Sequence, residues 1–304
     1  MRRRQAEKIT DGLWRLGGEE SCIYLLEGEK ESMVVSGGMS YLVPALLEQL
    51  KRFGIDEGRI TKLLILHAHF DHIGTVPFFK RRHPNLEVYA SARGWEILHL
   101  PKAIATINAF GREVAARMDM EQVYNDYDIE WRDDITGKTV TDGFRFGVEP
   151  FEGIVYETPG HSSCSISFYV PALKALFPSD GGGIPYKDVI LPAGNSNFTQ
   201  YQRSLEKLEG LDVEFLCGDH YSCVTGQEAR NYIRNSIEEA RNHRAELEEA
   251  YLESGDLETA AQTMVERFYR ENPDYFLTQE IFKNIFRQML RHLIGEMKRA
   301  NGRK

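Results

Sequence analysis

Four side chains able to bind a metal fall within the hexapeptide His67-Ala68-His69-Phe70-Asp71-His72, and three of them are among the chain's nine histidines. Imidazole nitrogen and carboxylate oxygen are ligands that Zn, Fe and Mn accept. The apolar run Leu63-Leu64-Ile65-Leu66 directly before them reads as a buried strand. A strand end is a rigid platform, and the loop beyond it is a usual place for chemistry.

Three more metal-capable residues stand in similar settings. His161 lies in Thr158-Pro159-Gly160-His161-Ser162-Ser163, between two strand-like runs. Asp180 follows Leu176-Phe177 and precedes Gly181-Gly182-Gly183, and His220 follows Phe215-Leu216-Cys217 in Gly218-Asp219-His220-Tyr221. Taken singly, each has a plain structural explanation: a hydrogen-bonded core histidine, or an Asp that starts a turn. Each stands just beyond a strand, beside small residues.

The elements that must hold them follow from periodicity. Gly12–Leu16, Cys22–Leu26 and Ser32–Val35 are short strand-like runs separated by glycines, as in hairpins. A helix is expected over Tyr41–Phe53, with Leu42, Leu46, Leu47 and Leu50 on one face, and another from Gly74 to Arg82. Leu86–Ala90 is strand-like, and residues 91–125 read as a helical insertion. Further strands are expected at Phe144–Val148, Ile154–Glu157, Ser165–Val170, Ala175–Phe177 and Glu214–Cys217, with a helix over Thr199–Leu208. Two β-rich halves with helices between the strands imply two packed sheets covered by helices on both outer faces. After about Gln227 only helical periodicity remains, over Asn231–Leu252, Leu257–Arg270 and Gln279–Arg299. The organisation read here is a first unit over 1–225 and an all-helical cap over 226–304.

Composition limits the partners. A chain of 304 residues, 42% hydrophobic, can bury a substantial core. A net charge of −9 and an isoelectric point near 5.6 make a nucleic-acid backbone a poor partner. No apolar run is long enough to cross a bilayer, so no membrane partner is expected. The basic start, Met1-Arg2-Arg3-Arg4-Gln5, is not followed by the hydrophobic stretch of a secretory signal. Cys22, Cys164, Cys217 and Cys223 lack CxxC spacing and fit reduced thiols, so a cytoplasmic location is expected.

The order HxHxDH, a His in a TPGHS-like turn, an Asp, and a final His resembles the metallo-β-lactamase-fold hydrolase superfamily, over residues 10–225. That resemblance implies an αββα sandwich with the site at one edge of the sheets. It implies two divalent metal ions (Zn or Fe, with Mn possible): His67, His69 and His161 on the first, Asp71, His72 and His220 on the second, and Asp180 bridging. The implied chemistry is hydrolysis by a metal-bridging hydroxide, with Asp71 as ligand and as orienting or proton-accepting partner. Within the superfamily, His69 stands where flavodiiron reductases carry Glu, no added nucleic-acid domain is found, and β-lactamases are typically exported. What remains is the glyoxalase II-like group of thioesterases, lactonases and small-phosphodiester esterases. Val35-Ser36-Gly37-Gly38-Met39-Ser40, the chain length and the helical tail further look like the quinolone-signal-response thioesterases, which act on an aminobenzoylacetyl-CoA intermediate. Two departures stand out: Ser36 where many members have Asp, and Gly-Asp-His in place of the common Pro-Gly-His.

The expected activity is therefore that of a dinuclear metal-dependent hydrolase of small molecules. Thioesters of acyl-CoA or glutathione type are favoured, and lactones or small phosphodiesters are the alternative. Outside enzymes, the chain could be a regulatory or protein-binding protein with a structural metal site. Phe268, Tyr269, Tyr275, Phe276, Phe282 and Phe286 recur at near-helical spacing in the tail. They would form a helical core, line an apolar pocket over the metals, or cover a homodimer interface. Phe70, Phe198 and Phe276 are the candidate substrate contacts. His83, His99, His243, His292, Cys164 and Cys223 are read as structural, and Tyr186 and Tyr221 are left without a role.

Overall fold

The structure, a computed structural model, describes residues 1–301. The first half carries strands β1 (Arg2–Arg3), β2 (Glu7–Thr10), β3 (Leu13–Gly17), β4 (Cys22–Glu27), β5 (Ser32–Val35), β6 (Ile60–Leu64), β7 (Glu87–Ser91) and β8 (Lys138–Val140). Between them run helices α1 (Val43–Phe53), α2 (Phe70–Ile73), α3 (Val76–Arg82), α4 (Ala92–Leu98), α5 (Pro101–Arg117) and α6 (Val123–Asp126). The second half adds β9 (Arg145–Val148), β10 (Phe151–Glu157), β11 (Ile166–Val170), β12 (Ala175–Phe177) and the hairpin β13 (Ile184–Tyr186) with β14 (Val189–Leu191). Then come α7 (Phe198–Leu208), β15 (Phe215–Cys217), β16 (Cys223–Thr225), α8 (Gln227–Ser254), α9 (Leu257–Glu271) and α10 (Gln279–Asn301).

One sheet runs β2-β3-β4-β5-β6-β7-β8, antiparallel as far as β5 and parallel from β5 to β8. The other runs β1-β16-β15-β12-β11-β10-β9, with β12 and β15 its parallel pair. The sheets stack through alternate side chains. Leu13, Tyr24, Leu26, Met33, Val35 and Leu64 meet Val155, Ile166, Phe168, Val170 and Phe177 in one apolar layer. The other face of the first sheet, with Leu25, Val34, Leu63 and Val88, packs on Leu46 and Leu50 of α1 and Phe79 of α3. Strands covered on both faces read as continuous apolar runs, and that is why these are visible in the sequence.

On the second sheet, Tyr169, Leu176, Leu216 and Val224 are covered by Tyr201 and Leu205 of α7 and by Tyr232, Ile233 and Ile237 of α8. The architecture is an αββα sandwich. The first tail helix is thus part of the sandwich's own outer layer, and α9 and α10 extend the same core through Met264, Val265, Leu290 and Leu293. The shortest strands have no sequence signal. β1 pairs with β16 at the edge of the second sheet, Arg2 opposite Val224, and two residues carry no periodicity.

Candidate metal centre

The hexapeptide leaves the sheet from the end of β6, in the interior of the parallel set, and turns at once into the single turn α2. That turn puts Asp71 and His72 on the side already reached by His67 and His69. It is seated closely: the Gly37 amide donates to the His72 carbonyl (2.7 Å) and the Gly74 amide to the Gly38 carbonyl (2.7 Å). A Cβ at Gly74 would lie 2.2 Å from the Ser40 nitrogen, so only glycine lets the two loops meet. His161 depends on a similar approach, because Gly160 has φ 137° and a Cβ there would lie 2.2 Å from the Tyr201 nitrogen. Asp180 sits in the turn Ser179–Gly182 after β12, and His220 in the connection from β15 to β16.

These loops bring seven side chains to one point. The donor atoms of His67, His69 and His161 lie within 4.8 Å of one another, and so do those of Asp71, His72 and His220. Asp180 lies between the two trios: one carboxylate oxygen is 3.4 Å from His72 Nε2 and 3.4 Å from His161 Nε2, and the other is 3.5 Å from His220 Nε2. Asp71 approaches His72 Nε2 at 3.5 Å and His220 Nε2 at 3.6 Å.

Backbone and side-chain acceptors hold the far side of four rings. His161 Nδ1 donates to the Ala193 carbonyl (2.9 Å) and His220 Nδ1 to the Glu20 carbonyl (2.5 Å). His72 Nδ1 donates to Asp219 Oδ2 (2.8 Å). The Ser179 hydroxyl gives its proton to the same Asp219 oxygen (2.5 Å), so its Oγ is left to accept from His67 Nδ1 (3.0 Å). With a proton fixed at Nδ1, each of these imidazoles turns a lone pair inward from Nε2. The Nε2 atoms of His67 and His72 are buried and have no hydrogen-bond partner among the described residues. Buried nitrogens rarely go unpaired. Two of them converging with carboxylates fit a site for bound metal.

The charges divide the centre. Burial opposes the charged form of His72, but Asp71, Asp180 and Asp219 outweigh it and hold its pKa well above the usual value. Burial opposes His220 too, and Asp180 above all pushes it up to about 9. His67 goes the other way, held well below the usual value by burial and then by His72, His69 and His161, and burial also lowers His161. Both carboxylates stay ionised: burial would raise Asp71 and Asp180, but the neighbouring histidines more than reverse it.

The centre opens into a cleft of about 1350 Å³ whose floor includes His69, Asp71, His161, Asp180 and His220. One wall comes from the insertion, with Ile97, Leu100, Ile107 and Phe110, and the other from the tail, with Phe268, Phe276, Phe282 and Ile285. Phe70 stacks near Phe110 with ring centres 5.4 Å apart, and Phe276 lies 6.4 Å from the His220 ring. The tail aromatics therefore do two of the things expected of them, since Phe268 and Phe282 also pack on the helical core.

Phe198 corrects the sequence reading. It opens α7 behind the N-cap Asn197, and its ring turns fully inward against Tyr201 and His243 instead of toward the cleft. His243, read as structural, is half-buried and borders the cleft, while His83 pairs with Glu57 and His99 with Asp133. Sequence reasoning misses Asp219 and Ser179. Their only signal is adjacency to His220 and Asp180, which a turn explains equally well.

A family model described as the metallo-beta-lactamase superfamily matches residues 16–220. Among solved structures, a metallo-beta-lactamase family protein from Thermus thermophilus superposes with TM-score 0.67 at 19% identity, covering 96% of this chain and 95% of that one. An archaeal metallo-beta-lactamase superfamily protein from Sulfolobus tokodaii gives 0.60 at 16%, with 93% and 98% covered. A metallo-beta-lactamase from Cronobacter sakazakii, a mutant of its HARLDQ motif, gives 0.59 at 17%, with 79% and 97% covered. At these identities the structural likenesses speak for the fold.

Proposed function

The chain belongs to the metallo-beta-lactamase superfamily, and from that premise we propose that it hydrolyses thioesters with a large acyl or aromatic part, using two divalent cations. His67, His69 and His161 would hold one ion, Asp71, His72 and His220 the other, and Asp180 would touch both. Such ions, when bound, lower the pKa of water and polarise the carbonyl under attack.

The remaining work falls to the chain's own groups. Asp71 is ionised and borders the cleft, so its carboxylate is placed to take a proton from water and to orient it. The fixed Nδ1 protons hold His67, His72, His161 and His220 in one tautomer, so these four rings need not reorganise during turnover. Phe70, Phe110 and Phe276 would seat the apolar part of the substrate and keep bulk water off the carbonyl.

The observation that carries this reading is the cleft itself. Its volume exceeds what a minimal substrate fills, and aromatic and branched side chains from the insertion and from the tail line it together with the ligand cluster. A purely structural metal would have no use for a roomy opening onto its ligands. The test is elemental analysis of protein purified without chelator, combined with a thioester panel graded by acyl size. About two metals per chain, with turnover rising with acyl bulk, is the expected result. Turnover of lactones or phosphodiesters without thioesters would replace the substrate class, and a chain that takes up no metal would end the proposal.

A further inference from the structure

Asp219 is two per cent exposed, and its carboxylate lies behind the metal-facing side of the cluster. Together with His67 and His72 it satisfies the same distance limit as the two trios. Its contacts show a different job. Oδ2 accepts from His72 Nδ1 and from Ser179 Oγ, and Ser179 Oγ accepts from His67 Nδ1, so Asp219 grips these rings from the side that does not face inward. His67 is in the first trio and His72 in the second, and their ring centres are only 4.0 Å apart. One carboxylate oxygen therefore sets the position of one histidine in each half of the centre.

The brace is rigid. The Cys22 amide donates to the Asp219 carbonyl (2.7 Å), and the Tyr24 hydroxyl donates to the Gly218 carbonyl (2.8 Å), so β4 of one sheet pins a loop of the other. Asp219 Oδ1 is buried and has no hydrogen-bond partner among the described residues. A buried anion left half unsatisfied is costly unless positive charge lies close by, and the neighbouring centre is where such charge would lie.

Resting on the reading of the cluster as a two-cation centre, we propose that Asp219, with Ser179, is a shared positioning brace that couples the two half-sites. Its fixed place sets the spacing of the two rings, since it holds His72 directly and His67 through the serine hydroxyl. Loss of the brace should therefore weaken both ions together, whereas loss of a ligand in one trio should weaken one.

The experiment titrates the full-length chain with Zn²⁺ against a chromophoric chelator, for wild type, Asp219→Asn, Ser179→Ala and His220→Ala. Circular dichroism and thermal melting report whether each variant is folded. Asp219→Asn is expected to raise both zinc dissociation constants, each by roughly 10–100-fold. His220→Ala should remove one ion and leave the other nearly unchanged, and Ser179→Ala should weaken one constant alone. Asp219→Asn that alters one ion, or neither, overturns the brace while leaving the two-cation reading intact. If Asp219→Asn fails to melt cooperatively, Ser179→Ala decides: one weakened constant supports the brace, and two unchanged constants overturn it. A wild-type chain that binds no zinc overturns the two-cation reading, and the brace with it.

Discussion

The ligand cluster and the aromatic walls face the same cleft but are held by different means. Each cluster residue sits one short loop beyond a strand of the sandwich, and four of its imidazoles are locked by hydrogen bonds to Ala193, Glu20, Asp219 and Ser179. The walls are partly exposed rings on helices and, for Phe276, in the α9–α10 connection, touching one another at the 4.3–5.4 Å separations seen for Phe268 with Phe282 and Phe70 with Phe110. Directional bonds fix an atom within a fraction of an ångström, whereas ring contacts tolerate repacking. The floor is thus suited to hold chemistry constant, and the walls to decide what is presented to it.

Substitutions on each side should break or sharpen that contrast. Asp71→Ala at the floor should cut turnover of every substrate alike, by about 10²–10⁴-fold if proton acceptance is its main part; steady-state kinetics on short and bulky thioesters would check it. Phe198→Ala, beneath the walls but out of the cleft, should lower stability by about 3–5 kcal/mol. It should leave the preference between short and bulky acyl groups unchanged, as read from chemical denaturation and competition assays. Phe276→Ala, in the wall, should cost bulky substrates about 1 kcal/mol of recognition, roughly fivefold in kcat/KM, with a stable fold and little change for short acyl groups. A loss that is equal for short and bulky substrates would remove the distinction between wall and floor.

The smallest effect lies inside the floor. Without metal, His72 and His220 are favoured in the doubly protonated form near neutral pH, since both pKa values are raised, that of His220 to about 9, while His67 and His161 are lowered and keep only the Nδ1 proton. Filling the second trio should therefore release protons in that range, and filling the first should not. Affinity for the second ion should rise with pH from neutral towards pH 9, as the raised pKa values of His72 and His220 require. Titration in weak buffer with a pH indicator would measure it.

How much of this is legible in the sequence differs in the same way. The seven cluster residues are picked out because metal-capable types stand just past apolar runs in an order that resembles the metallo-β-lactamase superfamily; placement alone leaves His161, Asp180 and His220 ambiguous. The convergence of His67 with His161 and of His72 with His220 follows once those strands share two sheets. Asp219 and Ser179 are not visible, because what marks them is the direction of a hydrogen bond, and sequence carries no directions. Phe198 misleads for a related reason. It follows Asp180 closely, but the Asn197 cap starts α7 at that point and rotates the ring into the core. The walls combine α5 with α9 and α10, segments far apart in the chain, and no local pattern shows that they line one cleft.

The pairing of two distant helical segments over one floor also bears on how such a protein could be re-engineered. Diversity introduced at Ile107, Phe110, Phe276 and Ile285 changes the lining of the chamber and leaves the identity of every ligand-cluster residue unchanged. A library limited to those positions explores selectivity while every member keeps the same reactive centre. Variants would then be ranked by which molecule they accept, and few would be lost to an inactive core.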